Sequence, residues 1–215
     1  RHWQGREAEI EALEKWLNDS AIQIVGIKAA GGFGKSALAQ KLQQQATGFE
    51  KTLAVTFSQA YPFSLWGRWL MAHFGDRIED TVNDTALARL AADRLRTERT
   101  LLILDNVETL LAAEQRQWKD SAYEQFLLNW LGESTQAPLA PQTPLAQSVI
   151  VITSREEPDI PNNLARYCRW YDLGGLMEEA GVSLLKELDI LGDDANLTAF
   201  VHQAAGHPLL LKLAA

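Results

Sequence analysis

The sequence predicts an α/β fold in which a five-stranded parallel sheet is flanked by helices and followed by the start of a small helical subdomain. Short, almost continuous apolar runs recur along the chain, longer stretches with helical periodicity separate them, and the runs stop after about residue 173. Continuous apolar character is typical of strands buried on both faces, as in a parallel sheet. Strands that alternate with helices favour a doubly wound arrangement. We therefore predict an α/β domain over 1–173 and a helical subdomain beginning over 174–215.

The elements can be placed in order from these patterns. The predicted strands are 22–27, 52–57, 100–105, 148–153 and 168–173. The predicted helices of the α/β domain are 6–17, 35–46, 63–74, 84–97 and 120–131. Residues 132–147 contain three prolines and few large apolar groups, which predicts an exposed loop. Two helical patterns follow residue 174, and Gly-His-Pro at 206–208 opens a third.

Composition excludes several classes of protein. The net charge of −8 makes general attraction to nucleic acid or to an anionic membrane an unlikely basis of function. Cys168 is the single cysteine, which rules out an intrachain disulfide and is typical of the reducing cytoplasm. No apolar stretch approaches the length of a transmembrane helix. Because the chain opens on Arg1, we interpret it as a segment of a longer protein.

Residues 29–36, AAGGFGKS, lie between a predicted strand and a predicted helix. This arrangement is typical of a phosphate-binding loop, whose pattern is G-x-x-x-x-G-K-[ST]. Backbone N–H groups of such a loop surround the phosphates at a helix N-terminus, and glycines permit the close approach. Ala29 replaces only the first glycine. The residues expected to bind the phosphates are Gly31, Gly32, Phe33, Gly34, Lys35, Ser36 and Ala37.

Two further strands end in polar residues. The run TLLILDN at 100–106 delivers Asp105, which would hold Mg²⁺ through water while the Ser36 hydroxyl ligates the ion directly. The alternative for Asp105-Asn106 is simple turn chemistry. The run VITSR at 151–155 delivers Arg155, whose guanidinium could recognise a γ-phosphate by forked hydrogen bonds. Alternatively, Arg155 is a solvated surface residue.

The order of these motifs resembles a known family. The segments are WQGRE (3–7), AAGGFGKS (29–36), LLILDN (101–106), VITSRE (151–156), DLGGLMEEAGVSLL (172–185) and GHPLLL (206–211). Together they are similar to the nucleotide-binding module of the STAND P-loop NTPases, of the NB-ARC type. The resemblance covers essentially the whole chain. It implies ATP or ADP with Mg²⁺ as cofactors, and a switch that self-associates in a parent protein carrying sensor and effector domains.

The resemblance also implies roles for individual residues. Gly5 and Arg6 would lie beside the adenine and ribose, Pro208 would pack on the adenine, and Arg155 would sense the γ-phosphate. The residues expected to support catalysis are Lys35, Asp105, Asn106 and Arg155. Asn106 stands where the family usually has a second acid, so we expect slow or absent hydrolysis. Glu108 could replace that acid if the chain after the strand turns its side chain inward.

Other functions fit parts of the sequence. A replication-initiator-like AAA+ ATPase that binds DNA is one alternative, and the net charge of −8 counts against it. A scaffold that binds nucleotide without hydrolysing it is another, and Asn106 is compatible with it. A small-molecule phosphotransferase is a weaker alternative, because no substrate-side acid or lid motif is apparent.

Overall fold

The computed structural model describes residues 5–112, 116–132 and 148–213. In these ranges the chain forms one sheet whose strands are all parallel. The strands are β1 (Ile24–Lys28), β2 (Lys51–Thr56), β3 (Thr100–Asp105), β4 (Val149–Ser154) and β5 (Cys168–Asp172). The predicted fold class is confirmed, and the strand boundaries lie within two residues of the predicted ones. The predicted loop at 132–147 lies, apart from Gly132, outside the described residues.

Helices follow or precede the strands as the periodicity predicted. They are α1 (Glu7–Leu17), α2 (Lys35–Gln45), α3 (Phe63–His73), α4 (Asp84–Arg94), α5 (Ser121–Leu131), α6 (Glu178–Glu187), α7 (Asp194–Gln203) and α8 (Pro208–Leu213). The prediction for α4 ran three residues too far. After Arg94 the N–H groups of Arg96 and Thr97 bond to carbonyls three residues back, the tighter pattern with which many helices end.

Two apolar layers cover the sheet. Alternate strand residues point to opposite faces, so Val25 packs with α1 and α2 while its neighbour Ile24 packs with α3, α4 and α5. One face of α3 is part of the core: Phe63, Trp66 and Leu70 are at most 1% exposed. Burial of aromatic and aliphatic groups on both faces is the main stabilising contribution to such a sheet.

The strand order places three chain segments at one edge of the sheet. The order is β2–β3–β4–β1–β5, so β4 lies between β1 and β3. Because parallel strands end at the same edge, the loop after β1, the end of β3 and the end of β4 become neighbours. Lys28 pairs in register with Ser154 on one side and with Asp172 on the other. This edge carries every strand-end residue selected from the sequence.

Helices α6, α7 and α8 share an apolar cluster of their own. Leu185, Leu197, Val201 and Leu211 form its buried centre. The proposed domain division after residue 173 falls between β5 and α6, and it stays a prediction. Among the described residues, no helix is both long and apolar enough to cross a membrane.

Candidate functional site

The loop between β1 and α2 closes around the side chain of Lys35. Gly32 and Gly34 have φ values of +83° and +93°, a region that glycine adopts without strain. Lys35 Nζ donates hydrogen bonds to the carbonyl oxygens of Ala29 and Ala30 at 2.8 and 3.2 Å. Desolvation by burial lowers the pKa of Lys35, and this outweighs the opposing effect of nearby Glu108. The loop thus holds a buried ammonium group at its base.

Ala29 fits the first position of the loop without backbone strain. Its φ is not positive, so this position does not need glycine for its conformation. The Ala29 N–H donates to the Ser154 carbonyl at 3.3 Å, which continues the pairing of β1 with β4. The Ala29 methyl group is therefore compatible with the path of the chain after β1. The positive φ values of the loop occur at the glycines that follow.

Asp105 accepts hydrogen bonds from three hydroxyl groups. Ser36 Oγ lies 2.8 Å from Asp105 Oδ1, and Thr56 Oγ1 lies 3.1 Å from Oδ2. Thr153 Oγ1 also donates to Oδ1 and accepts from the Asn106 N–H. Asp105 is only 7% exposed, and these donors orient its carboxylate toward the start of α2. A hydroxyl and a carboxylate in contact are oxygen donors of the kind Mg²⁺ prefers, and the ion normally takes few protein ligands beside phosphate and water.

The chain turns sharply after Asp105. Asn106 has φ +62°, a left-handed conformation that Asn adopts more readily than most residues. A 3₁₀ turn, Val107–Leu110, follows directly. The turn brings Glu108 back toward the phosphate loop, so the strand does not continue and Asn106 and Glu108 do not lie on one strand face.

Arg155 follows β4 and meets Glu108 rather than open solvent alone. Its Nε lies 3.2 Å from Glu108 Oε1. The guanidinium also runs beside Gly31, where an added Cβ would lie 3.4 Å from Nη2. The other carboxylate oxygen of Glu108 is buried and has no hydrogen-bond partner among the described residues. Buried polar atoms normally have partners, so this oxygen is free to accept one.

Arg6 connects the start of the chain to two other segments. Its guanidinium donates to the carbonyls of Gly174 at 2.7 Å, Gly175 at 3.3 Å and Phe33 at 3.4 Å, and it pairs with Glu9 at 2.7 Å. Arg6 is only 8% exposed. The neighbouring Gly5 packs against α6, where an added Cβ would approach Ala180 to 2.5 Å. The predicted base-side residues therefore lie at the junction of the phosphate loop with the segment that leads to α6.

The Gly-His-Pro turn packs on the other side of the loop. His207 Nε2 lies 3.0 Å from the Gly31 carbonyl oxygen, and the Leu209 N–H donates to the Gly32 carbonyl at 3.3 Å. The rings of His207 and Phe33 lie 4.4 Å apart between centroids. The next residue, Pro208, starts α8. The helical segment thus contacts the phosphate loop directly.

A cavity of about 370 Å³ joins these parts. The predicted residues that line it are Gly31, Gly32, Gly34, Lys35, Ser36, Ala37, Asn106, Arg155 and Pro208. Asp105 does not line the cavity itself but accepts a hydrogen bond from Ser36, which does. Phe33, Gly5 and Arg6 lie beside the cavity. Glu108, Leu209 and Lys212 also line the cavity, and the sequence pattern did not place Leu209 or Lys212 there.

A phosphate loop after a central parallel strand, with an aspartate ending a strand two places away in the sheet, defines a P-loop NTPase. Within this class, the model of the family described as NB-ARC domain matches residues 6–120. The match covers more than half of the chain. The chain therefore belongs to the NB-ARC family, as the motifs in the sequence indicated.

Relatives of this chain are much longer proteins. It is 26% identical over 236 residues to an uncharacterised WD repeat-containing protein of Nostoc sp., covering 98% of this chain and 17% of the relative. It is 28% identical over 224 residues to disease resistance protein RRS1 of Arabidopsis thaliana, covering 97% of this chain and 14% of the relative. The chain thus spans about a sixth or less of the curated relatives it matches.

Solved structures share the fold. A STAND protein with a tetratricopeptide repeat sensor from Pyrococcus horikoshii superposes with a TM-score of 0.64 at 19% identity, covering 97% of this chain and 29% of that one. The Aeropyrum pernix ORC2 protein, solved as ADPNP–ADP complexes, gives a TM-score of 0.56 at 15% identity, covering 92% and 57%. At such identities the likeness concerns the fold.

Proposed function

We propose that this chain is an ATP- and ADP-binding switch module with slow ATP hydrolysis, part of a larger signalling protein. The observation that carries the proposal is the position of the phosphate loop. Arg6 contacts it from the N-terminal segment and the Gly-His-Pro turn contacts it from the helical segment. A ligand bound at such a junction biases the arrangement of the surrounding segments if its affinity differs between their arrangements.

The residues at the site match the chemistry of a magnesium nucleotide. Lys35 supplies a positive charge at the base of the loop, and the loop amides supply donors for phosphate oxygens. Ser36 would hold Mg²⁺, with Asp105 acting on the ion through water. Bound magnesium would supply positive charge that offsets the charge of the phosphates. Gly5, Arg6 and Pro208 would flank the base and sugar, in keeping with the likeness to NB-ARC proteins.

Slow hydrolysis follows from Asn106. An amide can orient water through hydrogen bonds, but it is not basic at neutral pH. A positioned general base contributes roughly 10²–10⁴-fold in rate, and Asn106 supplies none. The carboxylate of Glu108, which lines the same cavity, is paired with Arg155. Asn106 also supports the second candidate function, that of a scaffold that binds nucleotide and never hydrolyses it.

The parent protein is expected to supply the rest of the switch. Sensor and effector domains are proposed because the relatives are several times longer than this chain. Self-association is proposed from the likeness to NB-ARC proteins alone. One fold neighbour is an origin recognition complex bound to DNA. For this chain, the net charge of −8 argues against nucleic acid as a partner.

The direct test has two stages. The purified protein is denatured and the released nucleotide is identified by chromatography; separate samples are then loaded with ADP or with ATP. We expect hydrogen exchange in 174–213 to differ between the two loaded forms. Equal exchange in both forms would contradict the switch while leaving nucleotide binding intact, and no binding of either nucleotide would contradict the proposed function as a whole.

A further inference from the structure

The contact between the Gly-His-Pro turn and the phosphate loop has a specific geometry. Two successive carbonyl groups of the loop accept hydrogen bonds from the turn: Gly31 from His207 Nε2, and Gly32 from the Leu209 N–H. The loop is packed tightly at this point, because a Cβ on Gly32 would lie 2.5 Å from His207 Cε1 and 2.8 Å from Leu209 Cβ. The turn therefore forms its hydrogen bonds with the backbone of the loop.

Holding a carbonyl also orients the amide that follows it. A peptide unit is planar, and in a trans unit the C=O and the next N–H point in opposite directions. The described residues contain no cis peptide bond. Binding of the Gly31 carbonyl by His207 therefore turns the Gly32 N–H away from the turn. In the same way, binding of the Gly32 carbonyl by Leu209 turns the Phe33 N–H away.

The protonation state of His207 follows from its two partners. The Gly31 carbonyl can only accept, so Nε2 must carry a hydrogen. The Leu210 N–H donates to Nδ1 at 3.3 Å, so Nδ1 must be free of hydrogen. Both contacts are satisfied by the neutral Nε2–H tautomer. The ring also packs on Phe33, with 4.4 Å between the ring centroids, and this contact helps to keep its donor directed at the loop.

We propose that His207 is a positioning residue for nucleotide binding: it presets the phosphate loop so that the Gly32 and Phe33 amides are available to phosphate. The inference rests on the proposed nucleotide binding and adds the contact through which the helical segment controls it. A donor that is already oriented loses less freedom on binding, which raises affinity. The coupling is reciprocal, so phosphate bound to the loop stabilises the docked turn by the same factor.

The effect should be the same for both nucleotides. A single neutral hydrogen bond of this kind corresponds to roughly a 2- to 12-fold change in affinity. We therefore expect His207→Ala to weaken ADP and ATP binding by about that factor, since both carry the phosphates next to the loop. His207→Gln should retain most of the affinity because its amide N–H can reach the same carbonyl.

The test uses calorimetric titration of each variant with ADP and ATP in the presence of Mg²⁺. His202→Ala is the matched control, because His202 lies in the same helical segment but pairs with Glu178 and is 68% exposed. Wild-type affinity in both His202→Ala and His207→Ala would overturn the inference. Failure of the wild type to bind either nucleotide would instead overturn the proposed function, so the two failures are distinguishable.

A second measurement does not depend on a folded variant. The Leu209 amide bonds to the Gly32 carbonyl, so its hydrogen exchange reports directly on docking of the turn. In the wild type, saturating ADP should slow exchange at Leu209 relative to the protein without ADP. Unchanged exchange at Leu209 in a sample shown to bind ADP would contradict the reciprocal coupling and with it the role of His207.

Discussion

Arg155 and Glu108 form an ion pair at the mouth of the phosphate loop, with Arg155 Nε 3.2 Å from Glu108 Oε1. The Arg155 side chain is 64% exposed and that of Glu108 is 19% exposed. Pairs exposed to this degree contribute only about 0–1 kcal/mol. A phosphate group is a stronger, bidentate partner for a guanidinium. We propose that Arg155 exchanges Glu108 for the γ-phosphate when ATP is bound.

This exchange predicts a selective effect of Arg155→Ala. ATP affinity should fall more than ADP affinity, because only ATP offers a γ-phosphate, and a hydrogen bond to a charged group contributes about 1.5–3 kcal/mol. Calorimetric titration with both nucleotides measures the difference. Arg89→Ala is the control, since Arg89 pairs only loosely with Asp93 on α4 at 3.9 Å. Equal losses for ATP and ADP in Arg155→Ala would show that Arg155 does not sense the γ-phosphate.

The missing second acid predicts a gain of activity. Asn106→Asp should accelerate single-turnover ATP hydrolysis by about 10²-fold or more, because a carboxylate can polarise the attacking water. Asp is preferable to Glu here, since Asn106 has φ +62° and Asp tolerates that conformation better than most residues. Rapid-quench measurement of bound ATP gives the rate.

Glu108→Gln is the companion variant for hydrolysis. Glu108 is paired with Arg155, so replacing its carboxylate by the amide of Gln should leave the slow wild-type rate unchanged. A marked loss of rate in Glu108→Gln would mean that Glu108 already supplies the missing carboxylate. Fast hydrolysis by the wild type that persists in Glu108→Gln would contradict the assignment of slow turnover to Asn106.

Much of this arrangement could be predicted from local sequence. Apolar runs separated by helical periodicity marked the strands, and the loop and Asp105 were recognisable because strand, turn and helix signals surround them. The three hydroxyl groups that donate to Asp105 were harder to predict from the sequence. Thr56 reaches it only because β2 pairs with β3 in a register that opposes Thr56 to Asp105. Strand order and register are properties of the folded sheet.

The remaining contacts depend on backbone conformation and docking. The Glu108–Arg155 pair follows from the left-handed conformation of Asn106, which turns the chain back after β3. The Asp105-Asn106 pair in the sequence indicated that the chain turns here, but not in which direction. The bond from His207 to Gly31 joins residues 176 positions apart, so no local pattern could reveal it.

The pH dependence of stability tests how Cys168 is packed in the sheet. Burial raises the pKa of the Cys168 thiol to about 12, from 9.0. A raised pKa means that the folded state holds the proton more tightly, so this contribution to stability is complete below about pH 9 and is lost as pH rises toward 12.

The stability difference between wild type and Cys168→Ala, measured by urea denaturation, should therefore shrink above about pH 9. Iodoacetamide should label the native thiol slowly and the urea-unfolded thiol quickly, because only a thiolate reacts. Rapid labelling of the native protein at neutral pH would contradict the buried position of Cys168 in β5.

The loop around Lys35 is expected to bind the phosphates of ATP and ADP. Calorimetric titration of wild type, Lys35→Ala and Lys41→Ala with magnesium nucleotide tests this binding, and Lys41 is the control because it lies on the same helix six residues further on. We expect saturable binding by wild type and Lys41→Ala, and none detectable by a folded Lys35→Ala, because removing the ammonium group leaves phosphate charge uncompensated. Undiminished affinity in folded Lys35→Ala would contradict the assignment of the phosphate site.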